Sequence, residues 1–216
     1  MTRTTRTVRP DYMAMAMAER ADIADLVASL TTEQWDARTL CEGWRVRDVV
    51  AHMFSYEELS TFGLIGRFVK VPFTRGGVNA VALADYADHT SEQLVALVRA
   101  HQRPRGLTSG FGGRIALTDG TIHHQDIRRP LGLPRQIPPD RLVAVLEFAK
   151  TAPTISARKR IRGLTLTATD LDWSTGDGPE VTGPGESLLM ALAGRRGITD
   201  ELSGPGRPEL ARRIGD

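Results

Sequence analysis

Between residues 11 and 30 the apolar positions fall three and four apart. Met13, Met17, Ala21, Ala24 and Val27 or Ala28 share one side, with charged residues between them. That period predicts a helix over 11–30. Thr31 followed by Gln34 has the form of a capping box and predicts a short helical turn carrying Trp35. After a loop at Cys41-Glu42-Gly43-Trp44, a second helix is predicted to begin near Arg45, with Val46, Val49, Val50 and Met53 as its apolar stripe. Asp48 falls in its first turn, where a carboxylate suits the helix dipole. His52 lies beside the stripe.

The pattern then loses its regularity. Residues 61–79 are apolar but irregular, with Phe62, Leu64, Ile65, Phe68, Val69 and Phe73 among glycines. They read as a helix end plus a packed loop, or as one wall of a ligand pocket; apolar residues are more often core. Val81, Ala84, Leu94, Leu97 and Val98 predict a third helix over about 80–102. A Gly- and Arg-rich loop covers 103–113 and matches no phosphate-loop spacing. A fourth helix is predicted over about 113–128, ending before Pro130. A connector with Gly132, Pro134, Pro138 and Pro139 follows. Asp140 is then expected to cap a helix lined by Leu142, Val143, Val145, Leu146 and Phe148.

After about residue 160 the period changes from helical to alternating. Leu164, Leu166 and Ala168 alternate with Thr165, Thr167 and Thr169, as in a half-buried strand. Residues 172–179 read as a turn, and Glu180-Val181-Thr182 as a second strand pairing back. Residues 186–195 read as a helix with Leu188, Leu189 and Leu192 inward, and 199–214 as a further short helical pattern. The chain is therefore expected to be α+β and mainly α, with a helical domain over 11–158 and a small α/β domain over 159–216.

Composition narrows the function classes. The 216 residues carry 28 basic and 26 acidic side chains, a net charge of +2. No Lys/Arg run with interleaved aromatics appears, which argues against a nucleic-acid partner. No segment is long and apolar enough for a membrane span, and the basic, polar first ten residues read as a frayed tail rather than a signal peptide. With Cys41 the single cysteine, no intrachain disulfide can form, in keeping with a reducing cytoplasm. The expected assembly is a monomer or homodimer.

The candidate chemistry lies in the histidines, His52, His89, His101, His123 and His124. On a helix, Asp119 and His123 stand at i and i+4 and project from one face. His52 from a neighbouring helix would complete a three-ligand metal site in a bundle. Tetrahedral zinc on three protein ligands keeps one open position. The D-x-x-x-H spacing is short and recurs by chance, so hydrogen-bonded histidines remain the alternative. His124 points about 100° away from His123 around the helix. Asp126 suits a partner to a ligand or a helix-end hydrogen bonder. Gly120 inside the helix costs about 1 kcal/mol relative to alanine; it weakens the helix or marks a close backbone approach. Cys41 is a soft ligand or nucleophile by type, but without an obvious partner reads as a small loop residue.

Two segments carry a resemblance. Leu40-Cys-Glu-Gly-Trp-Arg-Val-Arg-Asp-Val-Val-Ala-His52 resembles the N-terminal signature of the mycothiol-dependent maleylpyruvate isomerase family, within the DinB-like superfamily. Asp119-Gly-Thr-Ile-His-His-Gln-Asp-Ile-Arg-Arg-Pro-Leu-Gly132 resembles its second signature. Residues 163–173, with Val181-Thr-Gly-Pro184 and Ala193-Gly-Arg195, are similar to its small C-terminal domain, related to sterol-carrier folds. The resemblance implies a DinB-like four-helix bundle followed by a sterol-carrier-like α/β domain. It implies a divalent metal, most commonly zinc, on His52, Asp119 and His123, with aspartate standing where the family usually has glutamate. It also implies a catalytic arginine in the C-terminal domain, matched best by Arg195, and mycothiol as thiol cosubstrate. The implied activity is thiol-dependent: a thiolate on the metal adds to an electrophilic small molecule, as an isomerase or S-transferase. The alternative is a non-enzymatic, metal-stabilised protein that binds a small ligand.

Overall fold

The computed structural model describes residues 10–57 and 83–216. Helix α1 spans Tyr12–Ser29, and the Asp11 side chain caps it by accepting from the Ala14 amide. The short α2, Thr32–Trp35, is opened by the expected reciprocal box between Thr31 and Gln34. Helix α3, Val46–Phe54, begins where Asp48 accepts from the Arg45 amide at 2.8 Å. Helix α5, Arg114–Arg128, lies where the period placed it.

The helix expected over 80–102 is shorter. Among the described residues, 85–88 form turns and helix α4 covers Ser91–Ala100. Thr90 and Gln93 form a second capping box, which satisfies the first amides of α4 and stops the helix from extending backward. The irregular stretch 61–79 lies outside the described residues. Helix α6, Pro139–Ala149, also starts differently from expectation. Its N-cap is Pro138, with Pro139 preset for the first helical turn. Asp140 sits inside the helix, accepting from the Arg141 amide next to it.

Helices α1, α4, α3 and α5 close a ring: α1 packs on α5 and α4, and α3 packs on the same two. This is the four-helix bundle. Its interior combines Ile23 and Val27 of α1, Val46, Val49, Val50 and Phe54 of α3, Leu94 and Val98 of α4, and Ile127 of α5. Gly120 belongs to the α1–α5 contact, where an added Cβ would stand 3.5 Å from Glu19 Cγ and Ile23 Cδ1.

A second core continues from the far side of α5 through α6 into the C-terminal residues. There the short α7, Ala157–Ile161, leads into β1, Thr165–Ala168. The segment expected to be only a turn holds β2, Ser174–Gly176, antiparallel to β1. Strand β3, Glu180–Gly183, lies on the other edge of β1 and runs parallel to it, with Val181 opposite Leu166. The expected pairing back is thus made by β2, which is three residues long and carries no buried position to read. Between β2 and β3 the chain passes through Gly178, where any Cβ would meet the Gly163 carbonyl oxygen at 2.3 Å. Helix α8, Gly185–Leu192, ends three residues earlier than expected. It buries Leu188, Leu189, Met190 and Leu192 completely, each side chain worth roughly 1.5–3 kcal/mol. Helix α9, Arg207–Ile214, closes the described chain. No helix among the described residues is long and apolar enough to cross a membrane.

Candidate metal centre and its pocket

Asp119 and His123 stand one turn apart on α5, and the α3–α5 contact brings His52 to them. Asp119 Oδ1 lies 3.8 Å from His52 Nε2 and 3.5 Å from His123 Nε2. The two imidazoles meet edge to face, 5.0 Å between centroids. These separations exceed a hydrogen bond. They approach the spacing of about 3.4 Å between two ligands 2.0–2.1 Å from one tetrahedral ion. One donor atom from each of the three residues falls within 4.8 Å of the others. Asp119 is the most exposed of the three side chains, at 39 %, against 13 % for His52 and 11 % for His123. The open side of the cluster is therefore the Asp119 side. The donor set and its spacing fit a divalent ion.

The other edge of His123 is fixed by a network. His123 Nδ1 donates to Asp126 Oδ2 at 2.8 Å, which leaves Nε2 facing His52 and Asp119 as the nitrogen that would ligate a metal once deprotonated. Asp126 is fully buried and also receives Arg195, Nε at 2.7 Å on one oxygen and Nη2 at 2.7 Å on the other. Cys41 Sγ donates to Asp126 at 3.1 Å and lies 3.5 Å from Arg195 Nη2. Cys41, His123 and Asp126 form a second convergent set. Its carboxylate is already neutralised by the two-pronged guanidinium, so the His52 side is the better cation site. Burial raises the Asp126 carboxyl, but His123 and Arg195 hold it well below the ordinary range. Burial likewise opposes Asp119, yet His123 and His52 keep it low. His123 is desolvated, and the Asp119 and Asp126 carboxylates still push it well above the usual imidazole range.

His124, next in sequence, faces away as its 100° offset requires. Its Nδ1 donates to buried Glu19 at 2.8 Å, and Arg128 Nε donates to its Nε2 at 2.7 Å, so both nitrogens are engaged in one neutral tautomer. Burial lowers its pKa. His101 accepts from Arg20 through its carbonyl, and His89 packs at a tilt against Tyr86; neither joins the cluster.

His52, Asp119, His123 and Arg195 all line a cavity of about 690 Å³ between the bundle and the C-terminal part. The 3-10 turn Gly106–Gly113 supplies Leu107, Thr108 and Phe111 to its wall. Phe111 adopts a left-handed backbone, φ 55°, is 72 % exposed, and sets its ring 5.5 Å from Phe148. Gly112 and Gly113 continue the left-handed path, which is what the glycine run encodes. The structure brings His52, Asp119 and His123 close together, and it gives partners to Cys41, which sequence reading treated as an unpartnered loop residue. Its partners lie 82 to 154 positions away in the chain, and no local pattern marks them.

Residues 16–104 match the family model described as the mycothiol maleylpyruvate isomerase N-terminal domain. The chain is also similar in fold to the crystal structure of the mycothiol-dependent maleylpyruvate isomerase, with a TM-score of 0.53 and 12 % identity. It is similar to a histidine-to-alanine mutant of that enzyme, with a TM-score of 0.55 and 11 % identity. Both likenesses cover 90 % of this chain and 91 % of the other. At such identity they establish a shared fold. No curated protein sequence matches the chain.

Proposed function

We propose that this chain is a mycothiol-dependent metalloenzyme, a reading supported by the match of residues 16–104 to the mycothiol maleylpyruvate isomerase N-terminal domain model. Its activity is isomerase or S-transferase chemistry on an electrophilic small molecule, in a reducing cytoplasm. The observation that carries this reading is the convergence of His52 Nε2, Asp119 Oδ1 and His123 Nε2 at separations of 3.5 and 3.8 Å, too long for hydrogen bonds. Two imidazoles and a carboxylate suit zinc and leave a fourth position open. His52, Asp119 and His123 would hold a divalent ion there, which would favour thiolate over thiol at neutral pH.

The protein's own groups do the rest. Asp126 holds the His123 tautomer and, through the same carboxylate, fixes Arg195 beside it. Arg195 is the proposed catalytic arginine because it lines the cavity that contains the three donors. Ile115, Ile122 and Phe148 line the cavity as well, an apolar boundary that keeps bulk water from competing with a bound thiol. A partly exposed Asp119 and an arginine in the same cleft favour turnover over sealed ligand storage.

Isothermal titration of mycothiol into the metal-loaded protein tests the reading. Heat of binding is expected, and His52→Ala should abolish it while leaving the melting temperature close to that of the unaltered chain. Absence of heat, or heat unaffected by the substitution, overturns the proposal.

A further inference from the structure

Among the described residues, three guanidinium groups line the cavity, those of Arg20, Arg160 and Arg195. Two are neutralised. Arg20 Nη2 lies 2.5 Å from Glu57, with neither side chain more than 4 % exposed. Arg195 is held two-pronged by Asp126. Arg160 has no carboxylate partner among the described residues. Its Nη1 donates to the carbonyls of Ile155 at 2.6 Å and Leu192 at 2.8 Å, which positions the side chain without cancelling its charge.

The geometry around Arg160 is specific. A Cβ at Gly194 would stand 2.5 Å from Nη2 and 2.6 Å from both Cζ and Nε. Near-equal distances to three atoms of one plane place position 194 over the face of the guanidinium. Gly194, at φ 75°, therefore supports the plane where any other residue would displace it. With Nη1 turned to two carbonyls and the face covered, the Nε/Nη2 edge has no hydrogen-bond acceptor among the described residues. That edge is the one that matches two oxygens of a planar carboxylate. Burial and the neighbouring charge of Arg195 both disfavour the Arg160 cation. A bound anion relieves both effects.

We propose that the Nε/Nη2 edge of Arg160 is a carboxylate-binding subsite of this cavity, which takes an organic acid whose apolar body lies against Phe111 and Phe148. The inference rests on the reading of the cavity as a substrate pocket, and it names the substrate class: a carboxylate joined to an apolar or aromatic group. Arg195 orients chemistry next to His123, whereas among the described residues Arg160 supplies the positive charge still available to a ligand.

The test uses the full chain after chelator treatment and without thiol, so its failure and that of the metal–thiol reading are separable. The probes are phenylacetate and its neutral counterpart phenylacetamide, titrated calorimetrically. The acid is expected to bind about tenfold more tightly than the amide. Arg160→Gln should bring the two within about twofold, Arg160→Lys should give an intermediate ratio, and the exposed Lys159→Gln should change nothing. Because Arg160→Gln also loses the bonds to Ile155 and Leu192, a second measurement uses the unaltered chain. Phenylacetate should slow phenylglyoxal modification of Arg160, mapped by mass spectrometry, and leave exposed Arg158 unaffected. Equal affinities for acid and amide, no binding of either, an unchanged ratio in a folded Arg160→Gln variant, or no protection of Arg160 overturns the inference.

Discussion

Asp126 is the residue on which the two halves of the site depend. One carboxylate accepts from His123 Nδ1, two nitrogens of Arg195 and the Cys41 thiol. Asparagine at 126 keeps the shape but brings an amide NH2 toward groups that are all donors. A metal-ligating histidine that loses its partner typically costs 10–100-fold in metal affinity. Asp126→Asn should therefore weaken zinc binding by about that factor, read by competition with a chromogenic chelator. Unchanged affinity would mean that His123 is oriented by packing alone.

Helix α5 carries the site, and its two glycines should respond oppositely to alanine. Gly120 has ordinary helical geometry, and an added Cβ meets Glu19 and Ile23 at van der Waals distance. Gly120→Ala should stabilise the chain by about 0.5–1 kcal/mol through helix propensity. Gly113, at φ 95°, starts the helix from a left-handed conformation, and a Cβ there would stand 3.0 Å from Met13 Cα. Gly113→Ala should destabilise by roughly 1–2 kcal/mol. Urea midpoints of the two variants check both signs. Of the two sequence readings of Gly120, the structure favours a helix weakened by glycine over a backbone approach too close for a Cβ. The limits of α4 show the converse. Thr90 and Gln93 form the same T-x-x-Q box as Thr31 and Gln34, but apolar positions at 81 and 84 extend the helical period past it. A local cap outweighed a continuing stripe because it satisfies orphan amides that a stripe cannot.

At the scale of the whole molecule, buried charge joins the parts. Glu19 of α1 accepts from His124 of α5 at 2.8 Å, from Arg135 of the connector at 2.7 Å, and from Arg141 of α6 at 2.8 Å. Burial acts to raise its pKa, but His124 and Arg135 lower it from 4.5 to about 2. Because the folded value is depressed, this stabilisation is fully present above about pH 4.5 and is lost as pH falls toward 2. The loss is on the order of 3 kcal/mol. Stability measured in urea from pH 6 to pH 2 should fall through that window, and Glu19→Gln should flatten the fall while lowering stability at pH 7. An unchanged slope in the variant would remove Glu19 as its source. Arg129 makes the corresponding link to the C-terminal part, donating to Glu186 at 2.7 Å and Glu201 at 2.6 Å.

What the amino-acid sequence determined alone is what depends on neighbours within a few positions. The limits of α1, α3 and α5 follow from apolar period and caps, and the shared face of Asp119 and His123 follows from one helical turn. His52, from a neighbouring helix, was the expected third donor, and the resemblance across Leu40–His52 and Asp119–Gly132 implied the same set. Tertiary structure decided everything that joins distant segments. It placed β3 parallel to β1, set Cys41 against Asp126, aimed Arg195 at Asp126 rather than at open space, and left Arg160 without an acid among the described residues. These outcomes depend on how α3, α5, α7 and α8 pack. No period along the chain encodes them, because the partners lie far apart in sequence and are joined only by the packing of the two cores.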